Sequence, residues 1–110
     1  MTAIIKNKRL KSKKITDSAR GEDCTLRITG ICNFNPETVV FCHYGKSGIA
    51  IKPHDIHGCY GCSDCHDWLD NRVMYKKTPI FYDNDDRWCD MLRAMIETQS
   101  KLIQKGLIKI

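Results

Sequence analysis

A chain of 110 residues, 42% hydrophobic and 8% aromatic, has room for one small domain with a thin core, so a metal staple is expected at this size. Seven cysteines are an odd number, which excludes a fully paired disulfide framework. The net charge is +5, yet the first twenty residues alone carry +6 and the other ninety sum to −1, so the excess sits on a tail.

No apolar run is long enough to cross a membrane. Met1-Thr-Ala-Ile-Ile meets Lys6 too soon to read as a secretory signal. The expected setting is cytoplasmic and reducing, where clustered Cys and His are metal ligands rather than disulfides.

Residues 1–15 show no apolar period and read as a basic, flexible arm suited to a polyanion such as DNA. Residues 16–110 read as one domain. Residues 16–21 form a helical turn between a Thr or Asp cap and a Gly stop. Residues 24–28 read as a first strand, 29–36 as turn, and 38–43 as the strongest strand, ending in His43. A glycine-bearing loop then runs through residues 44–55. Residues 62–70 read as a helix capped by Ser63 or Asp64, with Asp70 one turn after His66 on the same face. Residues 75–82, with Pro79, read as an irregular connection. A C-terminal helix spans 84–105, with Trp88, Met91, Leu92, Met95, Ile96, Gln99, Leu102 and Ile103 as an apolar stripe expected to pack on the core. Asn84 or Asp85 suits its start, and Lys101, Lys105 and Gly106 suit its end. The same helix is the candidate face for a homodimer.

The densest chemistry is Cys59-Tyr-Gly-Cys62-Ser-Asp-Cys65-His66. Two thiolates two residues apart can bind one ion from a tight knuckle. Cys65 and His66 point about 100° apart on a helix, so one ion does not take both. Cys24 and Cys32 bracket the first strand and turn, and their ends can meet in a hairpin. Cys24, Cys32, Cys62 and Cys65 then make a closed tetrahedral set, which is structural, because catalysis needs an open position. Cys59 and Cys42 compete for those places, and Cys89 reads as a small buried hydrophobe. His43 at a strand end and His66 on the metal-pinned helix can converge on one site, the arrangement that phosphodiester hydrolysis wants.

The order strand–His43, loop, Cys62-x-x-Cys65-His66, helix resembles the HNH (ββα-metal, or His-Me finger) nucleases with a zinc-binding cysteine set. It is similar above all to the YbcO-like nucleases of lambdoid prophages. That similarity rests on Ser18-Ala-Arg-Gly21, Cys24, Arg27-Ile28, Gly30, Cys32-Asn33 and Asn35-Pro36-Glu37-Thr38-Val39. Beyond these it takes in His43, Lys52-Pro53, Asp55 and Cys62-Ser63 through Cys65-His66-Asp67 and Asp70, covering about residues 16–106.

The resemblance implies an α+β fold, a zinc-stapled hairpin plus helix with an added C-terminal amphipathic helix. It implies a metal-dependent DNA endonuclease in which His43 is the general base and His66 binds a catalytic Mg²⁺ or Mn²⁺. The four cysteines named above would hold a structural Zn²⁺. Cys42 stands where such nucleases usually carry an acidic residue or His, and their middle Asn has no counterpart. Asp55 or His57 is expected to serve instead as metal ligand or orienting group, and Asp70 to hold the His66 ring. Arg20, Lys46, Lys52 and Arg72 are the candidate phosphate grips. The alternative is a catalytically inactive, zinc-stabilised DNA-binding accessory protein of phage recombination or replication.

Overall fold

The computed structural model describes residues 11–44, 54–70 and 84–109. Helix α1 spans Lys13–Asp17, strand β1 Val40–His43, strand β2 Gly58–Gly61, helix α2 Ser63–Leu69 and helix α3 Asn84–Gln104, with a 3-10 turn at Pro36–Thr38 ahead of β1. The result is a small α+β unit in which helices surround a two-stranded antiparallel sheet.

α1 begins earlier than the sequence suggests. Ser12 caps it, its side chain accepting the Ile15 amide, while Thr16 lies inside the helix and turns its hydroxyl back to the Lys13 carbonyl. Serine caps better than threonine, and the helix it starts buries Ile15. Residues 13–15 therefore belong to the folded unit rather than to the arm, of which residues 1–10 lie outside the described residues.

Residues 24–28 do not form the expected strand. Arg27 has φ +46°, a left-handed conformation that breaks an extended run and folds its amide back onto Cys24 Sγ at 3.5 Å. β1 pairs instead with β2, which looks like loop because it opens and closes on glycine. The register sets Val40 opposite Gly61, Phe41 opposite Tyr60, Cys42 opposite Cys59 and His43 opposite Gly58. Both glycines are required by closeness: a Cβ on Gly58 would strike the Cys42 carbonyl, and one on Gly61 would lie 2.7 Å from Cys42 Sγ.

At Tyr60 the outer edge of β2 is satisfied without a third strand. The Thr25 amide donates to the Tyr60 carbonyl at 2.8 Å, and the Tyr60 amide donates to Thr98 Oγ1 of α3 at 3.0 Å. Around this seam the core gathers Leu26, Ile28, Val39, Phe41, Tyr60, Trp68 and Leu102.

α3 packs across β2 on a narrower face than its stripe suggests. Met91, Ala94, Thr98 and Leu102 are buried, while Trp88 (65% exposed), Leu92 (55%), Ile96 (55%) and Ile103 (48%) face outward. The helix is apolar on two sides, and the sheet takes the side whose small Ala94 and Thr98 permit close approach. Cys89, expected to be buried, is exposed on the outer side. α3 ends at Gly106 with φ +74°, where the Leu107 amide returns to the Leu102 carbonyl at 2.9 Å. Among the described residues no helix is long and apolar enough to cross a membrane.

Candidate active site and metal centre

Two backbone knuckles build the cysteine cluster. In the first, Cys24 Sγ accepts the Arg27 amide, and Cys32 Sγ accepts the Phe34 amide at 3.4 Å. In the second, Cys62 caps α2, its Sγ accepting the Cys65 amide at 3.4 Å. Cys62 thus takes the role expected of Ser63 or Asp64. Those two side chains instead bind Asn33 Nδ2, at 3.2 and 3.0 Å, tying the first knuckle to the helix start.

The ligand atoms of Cys24, Cys32, Cys62 and Cys65 all lie within 4.8 Å of one another. Left to themselves, the sulfurs divide charge unevenly. Hydrogen bonding from Cys65, then from the Arg27 amide, holds Cys24 down to about 5, while burial and the charge on Cys24 push Cys32 up to about 12. Cys65, which gives its hydrogen to Cys24, is driven well above the usual thiol range. A dication removes this competition by accepting all four as thiolates, and four sulfurs in a closed set suit Zn²⁺. The residues fit a structural zinc.

Cys42 and Cys59 are separate from this cage. They face each other across the hairpin, fully buried, in a directly opposed pair. Burial opposes ionisation of Cys59, but hydrogen bonds from Cys42, Tyr44 and Thr25 hold it below the usual thiol range, and Cys42 is raised in turn.

His43 closes β1. Its ring stands edge-on to Phe41, with centroids 5.0 Å apart, and its Nε2 lies 2.7 Å from Asp55 Oδ1. Asp55 is 2% exposed, and its other oxygen accepts the Ser12 amide at 2.6 Å. The His43 side chain keeps 30% of its surface open, so the pair is buried at the carboxylate and accessible at the imidazole. One Asp55 oxygen is thus engaged by His43 and the other by Ser12.

His66 lies one turn into α2, its Nε2 3.3 Å from Asp70 Oδ2, with both side chains about one-third exposed. Among the described residues the cysteine cage is the one group of three or more potential metal ligands, and neither His66 nor Asp55 joins a second. His57 presents its carbonyl to the Tyr44 amide and sets its exposed ring against His54, centroids 5.3 Å apart. Arg20 is exposed on the turn after α1, whereas Lys46, Lys52 and Arg72 lie outside the described residues.

Sequence reasoning missed Ser12, whose contribution is a main-chain amide that no side-chain pattern signals. It also missed Arg87, which lies 4.7 Å over the Trp68 ring and donates to the Leu69 carbonyl at the end of α2.

The fold and its two sites define a small α+β domain with a zinc-type cysteine cage and an accessible His–Asp pair. The chain belongs to the YbcO family: the family model described as "Putative nuclease YbcO" matches residues 13–106. It is 38% identical over 95 residues to "Putative nuclease YbcO" of Escherichia coli (strain K12), covering 84% of this chain and 93% of that protein. A protein of the same description from Enterobacteria phage 82 matches to the same extent. A solved structure titled "Structure of a putative bacteriophage protein from Escherichia coli str. K-12 substr. MG1655" superposes with a TM-score of 0.65 at 36% identity. That match covers 83% of this chain and 98% of the other.

Proposed function

We infer that the chain is a cytoplasmic, metal-dependent DNA endonuclease of the HNH kind, acting for a prophage. The observation that carries this reading is the His43–Asp55 pair, an accessible imidazole backed by a buried carboxylate at the end of a strand beside a cysteine-caged helix. That is the equipment of a general base.

His43 takes a proton from water as the water oxygen attacks phosphorus in line. The bond to the 3′-oxygen breaks on the opposite side, that oxygen takes up a proton from solvent to become the 3′-hydroxyl, and the phosphate product keeps the new oxygen. Asp55 holds the imidazole and stabilises the positive charge it acquires. A divalent cation such as Mg²⁺ or Mn²⁺ would supply charge neutralisation at the leaving oxygen. His66 would bind it, with Asp70 setting the ring. Cys24, Cys32, Cys62 and Cys65 would hold Zn²⁺, which would keep α2 in place. Arg20, Lys46, Lys52, Arg72 and the basic arm would grip phosphates flanking the cut.

Plasmid nicking with Mg²⁺ or Mn²⁺ tests the reading. The native protein nicks, and His43→Ala loses about 10²–10⁴-fold, the usual share of a general base. Nicking by neither protein, with DNA binding retained by both, would instead establish a non-catalytic DNA-binding accessory.

The outer face of α3 also supports self-association. Leu92 and Ile96 form its centre, with Trp88 and Ile103 exposed along the same face, an apolar stripe that a two-fold helix pair would cover. A second copy of this chain is its proposed occupant.

A further inference from the structure

The His43–Asp55 pair does not end at Asp55. Asp55 Oδ2 accepts the main-chain amide of Ser12 at 2.6 Å, across 43 residues of sequence. The Ser12 hydroxyl is already engaged in capping α1, so it is the backbone that reaches the carboxylate. α1 is in turn fixed by Ile15, buried against the core, and by Ser18, whose hydroxyl meets the Tyr60 hydroxyl at 2.7 Å. The residue just before α1 is thus a rigid donor rather than the end of a loose tail.

We propose that Ser12 is a positioning residue for His43, acting through Asp55 to fix which ring nitrogen is basic. A carboxylate can only accept, so Nε2 must carry the hydrogen that lies between His43 and Oδ1. The bare, proton-accepting nitrogen is then Nδ1. The terminal torsion of an aspartate is soft and has no sharp rotamer of its own. Two donors on opposite oxygens pin it: Nε2–H on one and the Ser12 amide on the other. Without the amide, the carboxylate loses one of the contacts that hold Oδ1 towards Nε2, and the ring's preference for one tautomer weakens. The catalytic meaning of this relay rests on the endonuclease reading, whereas the tautomer itself does not.

The native cysteine at position 24 permits a clean test. A synthetic segment of residues 1–23 carrying an ester in place of the Ser12 amide is ligated to ¹⁵N-labelled residues 24–110, which replaces the donating N–H with an oxygen that cannot donate. Ser12→Ala, which keeps the amide, is the control, and Asp55→Asn breaks the same link from the other side if the ester protein refolds poorly. Long-range ¹H–¹⁵N spectra report the tautomer of His43, assigned through His43→Gln.

The native ring is expected as the Nε2–H form, and Ser12→Ala as native. The ester and Asp55→Asn proteins should show a substantial Nδ1–H share, with kcat for nicking down about tenfold or more and DNA affinity within about twofold. A native ring in the Nδ1–H form, or an ester protein with native tautomer and native rate, overturns the proposal. If no form nicks DNA, the endonuclease reading falls, and the ring spectra alone decide the relay.

Discussion

Cys62 Sγ accepts the amide of Cys65 at 3.4 Å, so one sulfur both caps α2 and helps form the metal cage. The two jobs are separable by substitution. Serine keeps a capping oxygen but is a poor zinc ligand; alanine keeps neither. Elemental analysis should find about one zinc per native chain and close to none in either variant. Chelation of the native protein should lower its melting temperature by roughly 15 °C or more, since a structural zinc supplies many kcal/mol of folding energy. A native melt indifferent to chelator would remove the staple from the fold.

The hairpin glycines give a second prediction. Gly58→Ala sets a methyl against the Cys42 carbonyl, a backbone atom that cannot step aside, and should cost about 2–3 kcal/mol. Gly21→Ala meets nothing within 4 Å and carries only the strain of φ +77°, so about 1 kcal/mol is expected. Denaturant midpoints compared at equal slope would show whether that order holds.

A third concerns pH. Hydrogen bonds from Lys105, then Lys101, hold the Glu22 carboxyl below its ordinary value of 4.5. A group whose folded pKa is depressed contributes its stability above the unfolded value and loses it as pH falls through the folded one. Glu22→Gln should therefore cost about 0.5–1 kcal/mol at pH 7, as expected of a partly exposed ion pair. The difference from native should shrink steadily below pH 4.5. A difference that grows on acidification would reverse the assignment.

The outer face of α3 supplies a fourth. Leu92→Asp places a charge at the centre of a patch whose members are about half exposed, and a residue so exposed has little to lose in the monomer. Sedimentation should show native dimers converting to monomers, with the melting temperature of the monomer nearly unchanged. A native protein that sediments as a monomer at every concentration tested would leave the patch without a second copy.

The sequence carried β1, α2 and α3 because each has a signal that survives tertiary context: a β-branched run, a cysteine knuckle before an amphipathic turn, and a long period. The four clustered cysteines were legible for the same reason, since their chemistry outweighs any propensity. β2 was not legible. Gly58 and Gly61 look like loop, yet they are glycine because Cys42 lies so close. Residues 24–28 failed in the opposite direction: a strand-like composition yields to the left-handed turn at Arg27, which aims an amide at sulfur. The stripe on α3 reads as one face because periodicity counts apolar residues without saying which of two arcs the sheet will choose. His43 stood out as a strand-end histidine, but its support from Ser12 is a main-chain contact between residues far apart in sequence, which no pattern encodes.

A hairpin alone is a hazard, since its open rim invites any extended chain to dock. Here the Thr98 hydroxyl and the Thr25 amide occupy the rim of β2 at Tyr60. A helix side chain thereby impersonates a missing neighbour strand, and at that point the sheet can neither grow inward nor recruit a stranger. The long C-terminal helix is thus a stopper as much as a wall, and Thr98→Val, nearly the same shape, would uncork it.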